Sequence, residues 1–181
     1  AAGGESPIVK FDIVTIFPRM FDGLFEEGIV GRAIERGLID LQVVDLREFT
    51  DDRHRTVDDV LYGGGPGMVL KPAPLFRAVE RIEAQRGRSV TVVLTSPQGR
   101  PFRQADAVRL SRVGHVVVLC GRYEGVGERV RDHLATEEMS VGDYVLTGGE
   151  LPAMIVLDAV GRLRPGAVGD ERSIEMDSFS R

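Results

Sequence analysis

The sequence predicts an α/β domain built on a largely parallel sheet, and three observations lead there. Short runs of apolar, β-branched residues alternate with stretches that carry apolar residues at helical spacing. The runs at 90–95 and 116–120 show no polar alternation, as expected of strands buried on both faces. Clusters rich in glycine follow these runs, and open α/β sheets bind ligands beyond the carboxyl ends of their strands.

Taken in order, residues 11–17 form the first strand, which Pro18 stops. Residues 20–36 read as one helix, with Phe21, Leu24, Phe25 and Ala33 near helical spacing and Gly37 as its C-cap. A second strand covers 38–46. Residues 47–70 lack a period and are dense in Asp, Arg and Gly, and so long a loop inside a compact domain is usually functional. Helix 72–86 ends at Gly87 and turns Leu75, Phe76, Val79 and Ile82 inward. Strand 90–95, a short helix 104–112, strand 116–120, a weak helix 128–134 and an extended piece 144–147 follow. The strongly apolar helix 151–163 carries Pro152 in its first turn. From Arg164 the chain is polar and aperiodic, which reads as a linker over 164–181. Residues 1–9 read as a tail or processing remnant, which leaves 10–163 as the domain.

Bulk properties narrow the function classes. The 181 residues suffice for one domain with a real core. A net charge of −5 excludes indiscriminate nucleic-acid binding, so any RNA site must be a local basic patch. No apolar run is long enough to span a bilayer, and no membrane partner is expected. Cys120 is the sole cysteine, which suits a reducing cytoplasm and leaves no intramolecular disulfide. At the end of a buried strand it reads as core rather than nucleophile. His54, His115 and His133 fall in separate elements, and no Cys or Glu pairing has zinc-ligand spacing, so no bound metal is expected.

Three loops carry a composition that packing alone does not explain: 96–100 (Ser-Pro-Gln-Gly-Arg), 121–127 (Gly-Arg-Tyr-Glu-Gly-Val-Gly) and 142–152. Glycine there lets a ligand approach backbone N–H and C=O groups, the paired donors and acceptors a purine edge needs. Any one such loop is more often an ordinary turn. Two nucleotide motifs also fail. Val130 replaces the third glycine of a dinucleotide fingerprint starting at Gly125, and the glycine-rich run 62–68 lacks the Lys-Ser or Lys-Thr of a P-loop.

Together, 52–59, 62–68, 96–100, 121–127 and 142–152 resemble the bacterial tRNA (guanine-N1)-methyltransferases of the knotted methyltransferase superfamily, in family order and spacing from about Lys10 to Arg181. The resemblance implies a Rossmann-like, mostly parallel sheet with a C-terminal trefoil knot. It implies a homodimer that methylates N1 of guanosine 37 of tRNA, in the cytoplasm, with S-adenosylmethionine as donor and Mg²⁺ assisting. Cofactor contacts map onto Ser96, Pro97, Gln98, Gly121, Tyr123, Glu124, Gly125, Tyr144, Leu146, Gly148, Gly149 and Pro152. Leu94 stands where some relatives have tyrosine. Arg53, His54, Arg55, Gly63, Gly64, Gly65 and Gly67 map onto the border of the RNA and target base, although charge runs of this kind are usually solvated faces.

Asp177 matches the family's proposed general base and Arg162 its catalytic arginine. The assignment is chemically reasonable. Methylation at N1 requires loss of the N1 proton and stabilisation of charge on O6, which a carboxylate and a cation supply. An aspartate of ordinary pKa, about 3.9, is a weak base for this proton, so the cation at O6 is its necessary companion. In the family the Asp-bearing segment reaches the partner subunit's pocket, and the chain continues into a C-terminal tRNA-binding domain that this sequence lacks. Other readings remain: a knotted ribose or ribosomal RNA methyltransferase, or a non-catalytic RNA-binding relative.

Overall fold

The computed structural model describes residues 8–60, 67–87, 90–122 and 125–180. Tyr62, Gly63, Gly64, Gly65, Tyr123 and Glu124, all singled out from the sequence, lie outside the described residues.

Five strands form a parallel sheet in the order β2-β1-β6-β5-β7. They are β1 (Val9–Thr15), β2 (Ile39–Asp45), β5 (Thr91–Pro101), β6 (His115–Cys120) and β7 (Glu137–Ser140). The period of two along a strand sorts side chains into two cores. Phe11, Ile13, Val93, Val116 and Val118 face one way, against α1 (Gly28–Glu35), α3 (Gln104–Leu110) and α5 (Glu150–Gly161). Val14, Val92, Leu94, Val117 and Leu119 face the other, against α2 (Pro72–Arg86) and α4 (Glu128–His133). Central strand β6 is buried throughout, which is why its sequence is uniformly apolar. On the second face the buried Asp12 carboxylate meets the His115 ring and accepts from Arg86 Nε at 3.1 Å.

Where glycine punctuates a helix, sequence and structure agree. Helix α2 begins and ends where expected, and Gly87 (φ +120°) caps it. At the end of α1, Leu38 N donates to Ala33 O (2.9 Å) and Gly37 N to Ile34 O (3.0 Å), a Schellman motif around Gly37 at φ +75°.

Five expectations need correction. The helix expected over 20–36 is divided into a 3-10 helix Pro18–Phe25 and α1, because Glu27 is extended and Gly28 sits at φ +79°. The aperiodic loop 47–70 contains a 3-10 turn, Leu46–Phe49, and an antiparallel pair, β3 (Asp58–Val60) with β4 (Met68–Leu70). The extended piece at 144–147 is not a strand; Tyr144, Val145 and Leu146 are exposed in a bent loop, and the strand of this region is β7. Strand β5 does not stop at Thr95 but resumes pairing with β7 at Arg100. Finally, 164–181 is not loose linker from its start. Arg164 and Val168 are buried, Arg164 Nη1 donates to Ser111 O (2.8 Å), and a short helix α6 (Arg172–Glu175) follows.

Candidate active site

A cavity of about 210 Å³ opens where β5 is interrupted after Thr95 and at the carboxyl end of β6, and three loops wall it. The first is an excursion of β5. Thr95 and Arg100 both pair with Met139, so 96–99 bulge out of the ladder and carry Ser96, Pro97 and Gln98 to the cavity wall. An ion network fixes the far side of the bulge. Arg100 donates to Asp106 Oδ1 (2.8 Å) and Glu137 Oε1 (2.7 Å), and Arg109 reaches the same two carboxylates. Burial opposes the Asp106 charge, but the Arg103 N–H and the two guanidiniums outweigh it and hold its pKa below the usual value.

The second and third loops are pressed together. Gly149 N donates to Gly121 O at 2.7 Å, and Thr95 Oγ1 lies 3.2 Å from Gly149 O. A Cβ at Gly149 would stand 2.2 Å from Thr95 Oγ1 and 2.7 Å from Gly121 N. Glycine is therefore required here by a close approach of backbone to backbone, not only by space for a ligand. Beside it, the Arg122 side chain crosses Gly148, where a Cβ would be 2.5 Å from Nε. Arg122 donates to the buried Glu150 carboxylate (3.0 Å) and to Thr147 O (2.8 Å), and its guanidinium lies 4.4 Å over the Phe17 ring. One side chain thus fastens the second loop to the third and to the end of β1.

The cavity gathers Ser96, Pro97, Gln98, Gly121, Gly125, Tyr144, Leu146, Gly148, Gly149 and Pro152 at one place, with Leu94 at its wall. Arg162 and Asp177 are brought together elsewhere: Arg162 Nη1 donates to Asp177 Oδ2 at 2.5 Å. Gly149 precedes α5 and Arg162 follows it. The helix is 12 residues long, so its two ends lie about 18 Å apart, and neither Arg162 nor Asp177 is among the described lining of the cavity.

Arg53 and His54 lie in an exposed turn with Arg55, which has φ +53°. Asp52 stabilises the turn by accepting from Thr56 N (2.9 Å) and Oγ1 (2.5 Å), bonds that lower its pKa. Gly67, exposed at φ +99°, leads into β4. That strand docks on the second loop: Leu70 N donates to Gly125 O at 3.0 Å, and Leu70 bridges Val126. Cys120 is buried behind the cavity, and burial pushes its thiol pKa well up, which suits core and not a nucleophile.

The family described as tRNA (Guanine-1)-methyltransferase TrmD matches residues 9–181. The chain belongs to this family. It is 52% identical over 172 residues to the tRNA (guanine-N(1)-)-methyltransferase of Persephonella marina, covering 95% of this chain and 67% of the relative. A relative of the same name from Pelotomaculum thermopropionicum is 53% identical over 173 residues, covering 95% and 69%. The crystal structure of tRNA (m1G37) methyltransferase from Aquifex aeolicus superposes with a TM-score of 0.83 at 41% identity, over 90% of this chain and 73% of that one.

Within this tRNA (guanine-N1)-methyltransferase frame, Thr95, Arg131 and Val141 also line the cavity without having been singled out from the sequence, and Arg122 and Gly142, inside the loops that were, had been given no individual role. A signal was available for Arg122, which lies inside a glycine-rich loop where a long cation is out of place as packing. Arg131 was hidden because its short helix has few apolar positions to give it a face.

Proposed function

We propose that this chain transfers the methyl group of S-adenosylmethionine to N1 of guanosine 37 of tRNA, as a cytoplasmic homodimer. The observation that carries the reading is the cavity beside the β5 bulge and the end of β6, walled by three glycine-containing loops that pack closely on one another. Its lining suits an adenosine: Leu94, Met139, Val141 and Pro152 offer apolar surface for a base, and Gln98 and Ser140 offer polar groups for a ribose. When bound, the donor supplies a sulfonium methyl that needs no further activation.

The chain's own residues then handle the proton and the charge. Asp177 accepts the N1 proton while Arg162 stabilises negative charge on O6, which makes N1 easier to deprotonate. The pair lies at the opposite end of α5 from its own cavity loops, which supports service to the partner's cavity. Leu151 and Ile155, exposed one turn apart on α5, with Met20, Phe25 and Ile29, supply an apolar face for such a dimer. The trefoil knot is proposed from the family to which the chain belongs; in such a knot Gly149 would be the point where the third loop presses on Thr95 and Gly121. Arg53, His54, Arg55 and Gly67 would border the tRNA, and 164–181 would carry Asp177 as an arm toward a tRNA-binding domain. Among the described residues no cluster of three or more His, Cys, Asp or Glu could hold a metal ion, and no step here runs through Mg²⁺. No described helix is long and apolar enough to cross a membrane.

The test is nucleoside mass spectrometry of tRNA incubated with S-adenosylmethionine and a full-length protein in which this chain is followed by its tRNA-binding domain. 1-Methylguanosine should appear and should vanish when guanosine 37 is replaced. A ribose-methylated product, or no product from folded dimer, overturns the reading.

A further inference from the structure

Two charged residues are among the described lining of the cavity, Arg122 and Arg131, and both are cations. Their situations differ. Arg122 is engaged by Glu150, Thr147 and Phe17, as described above. Arg131, from α4, stands at the edge of the second loop, and its Nη2 would lie 3.6 Å from a Cβ at Gly125. Its Nε comes within 3.2 Å of Glu138 Oε2 but without the alignment of a hydrogen bond. The pairing with Glu138 therefore anchors the stem and leaves the two terminal amino groups to address the cavity. A guanidinium in that position is built to grip a planar carboxylate through two parallel N–H bonds.

We infer that Arg131 recognises the α-carboxylate of the methyl donor's amino-acid moiety, and so selects a methionyl nucleoside over one without the carboxylate. This rests on the cofactor reading above. Arg131 is a specificity residue in this scheme, with Glu138 holding it in place. Glycine at 125 matters here as well: its φ of +120° disfavours a side chain, and a Cβ there would come within 3.6 Å of Arg131 Nη2.

Calorimetry with S-adenosylhomocysteine and with its decarboxylated analogue separates the outcomes. Arg131→Gln should weaken S-adenosylhomocysteine by about 10- to 100-fold, the usual worth of a hydrogen bond to a charged group. The decarboxylated analogue, which lacks the group Arg131 would grip, should bind wild type and variant within about twofold of each other, since changes that share no interaction add to within a few tenths of a kcal/mol. Arg131→Lys, which keeps charge without the fork, should fall between wild type and Arg131→Gln for S-adenosylhomocysteine alone. Equal weakening of both ligands would assign Arg131 to loop structure and overturn the inference, as would no weakening of either. A folded wild-type chain that binds neither ligand overturns the cofactor reading itself, a result visible before any variant is made.

Discussion

Arg162 and Asp177 form an ion pair at 2.5 Å at the end of α5 farther from the cavity. The two groups proposed to serve one proton transfer are thus positioned by each other, at the opposite end of α5 from the cavity loops.

A mixed-dimer experiment follows from that separation. Asp177→Asn and Arg162→Ala should each lower single-turnover methyl transfer by about 10²–10⁴, and the double variant should be little worse than the worse single one. An Asp177→Asn chain paired with a Gly125→Val chain should regain activity, since one of its sites joins an intact cavity to an intact Asp177. Verified mixed dimers as inactive as both parents would mean that Asp177 acts within its own chain.

The two glycines most exposed to substitution should fail in different ways. At Gly125→Val the Cβ would meet, among the described residues, only the end of the Arg131 side chain, at 3.6 Å, but the φ is wrong, so strain of about 1–3 kcal/mol is expected, with the fold kept and donor affinity lost. Gly149→Ala meets backbone and the Thr95 hydroxyl at once. It should melt lower than Gly125→Val, at about 2–4 °C per kcal/mol for a chain of this size. Scanning calorimetry decides, and a wild-type melting temperature for Gly149→Ala would refute the close approach.

Arg122 and Glu150 should be coupled in stability. Glu150 is 1% exposed, and one of its oxygens has no partner among the described residues. Arg122→Met leaves that buried carboxylate uncompensated, at a cost of about 3–5 kcal/mol. Adding Glu150→Gln should recover part of the loss in urea unfolding. Strict additivity of the two changes would show that the ion pair does not matter.

Asp106 gives a pH signature. Its folded pKa is depressed, so its contribution to stability is complete above the unfolded value of about 3.9 and disappears as pH falls through the lower folded value. The melting temperature of wild type should exceed that of Asp106→Asn at neutral pH, and the gap should close on acidification below about pH 4. A gap independent of pH would place the effect in hydrogen-bond geometry rather than charge.

Where a local signal determines structure, the sequence was legible. Pro and Gly bracket α2, Gly37 closes α1, and the apolar run of β6 needs burial on both faces. Elements fixed by tertiary pairing were not. Glu137–Ser140 is a strand only because it pairs with β5 at the edge of the sheet, and nothing in Glu-Glu-Met-Ser says so. Ser96 to Gly99 read as a turn because turn residues also build bulges. The cavity loops were recognisable by composition, whereas the bracing role of Arg122 requires knowing that Gly148 lies beneath it.

The hydrogen bond from Leu70 to Gly125 joins the hairpin on the proposed RNA side to the loop that walls the donor cavity. The two proposed substrates would therefore meet a shared element, strand β4 bonded to the loop at Gly125. Thermodynamic linkage then makes the effect mutual: if tRNA tightens donor binding by some factor, the donor must tighten tRNA binding by the same factor. Were that coupling positive, each substrate would be held more firmly once the other had arrived.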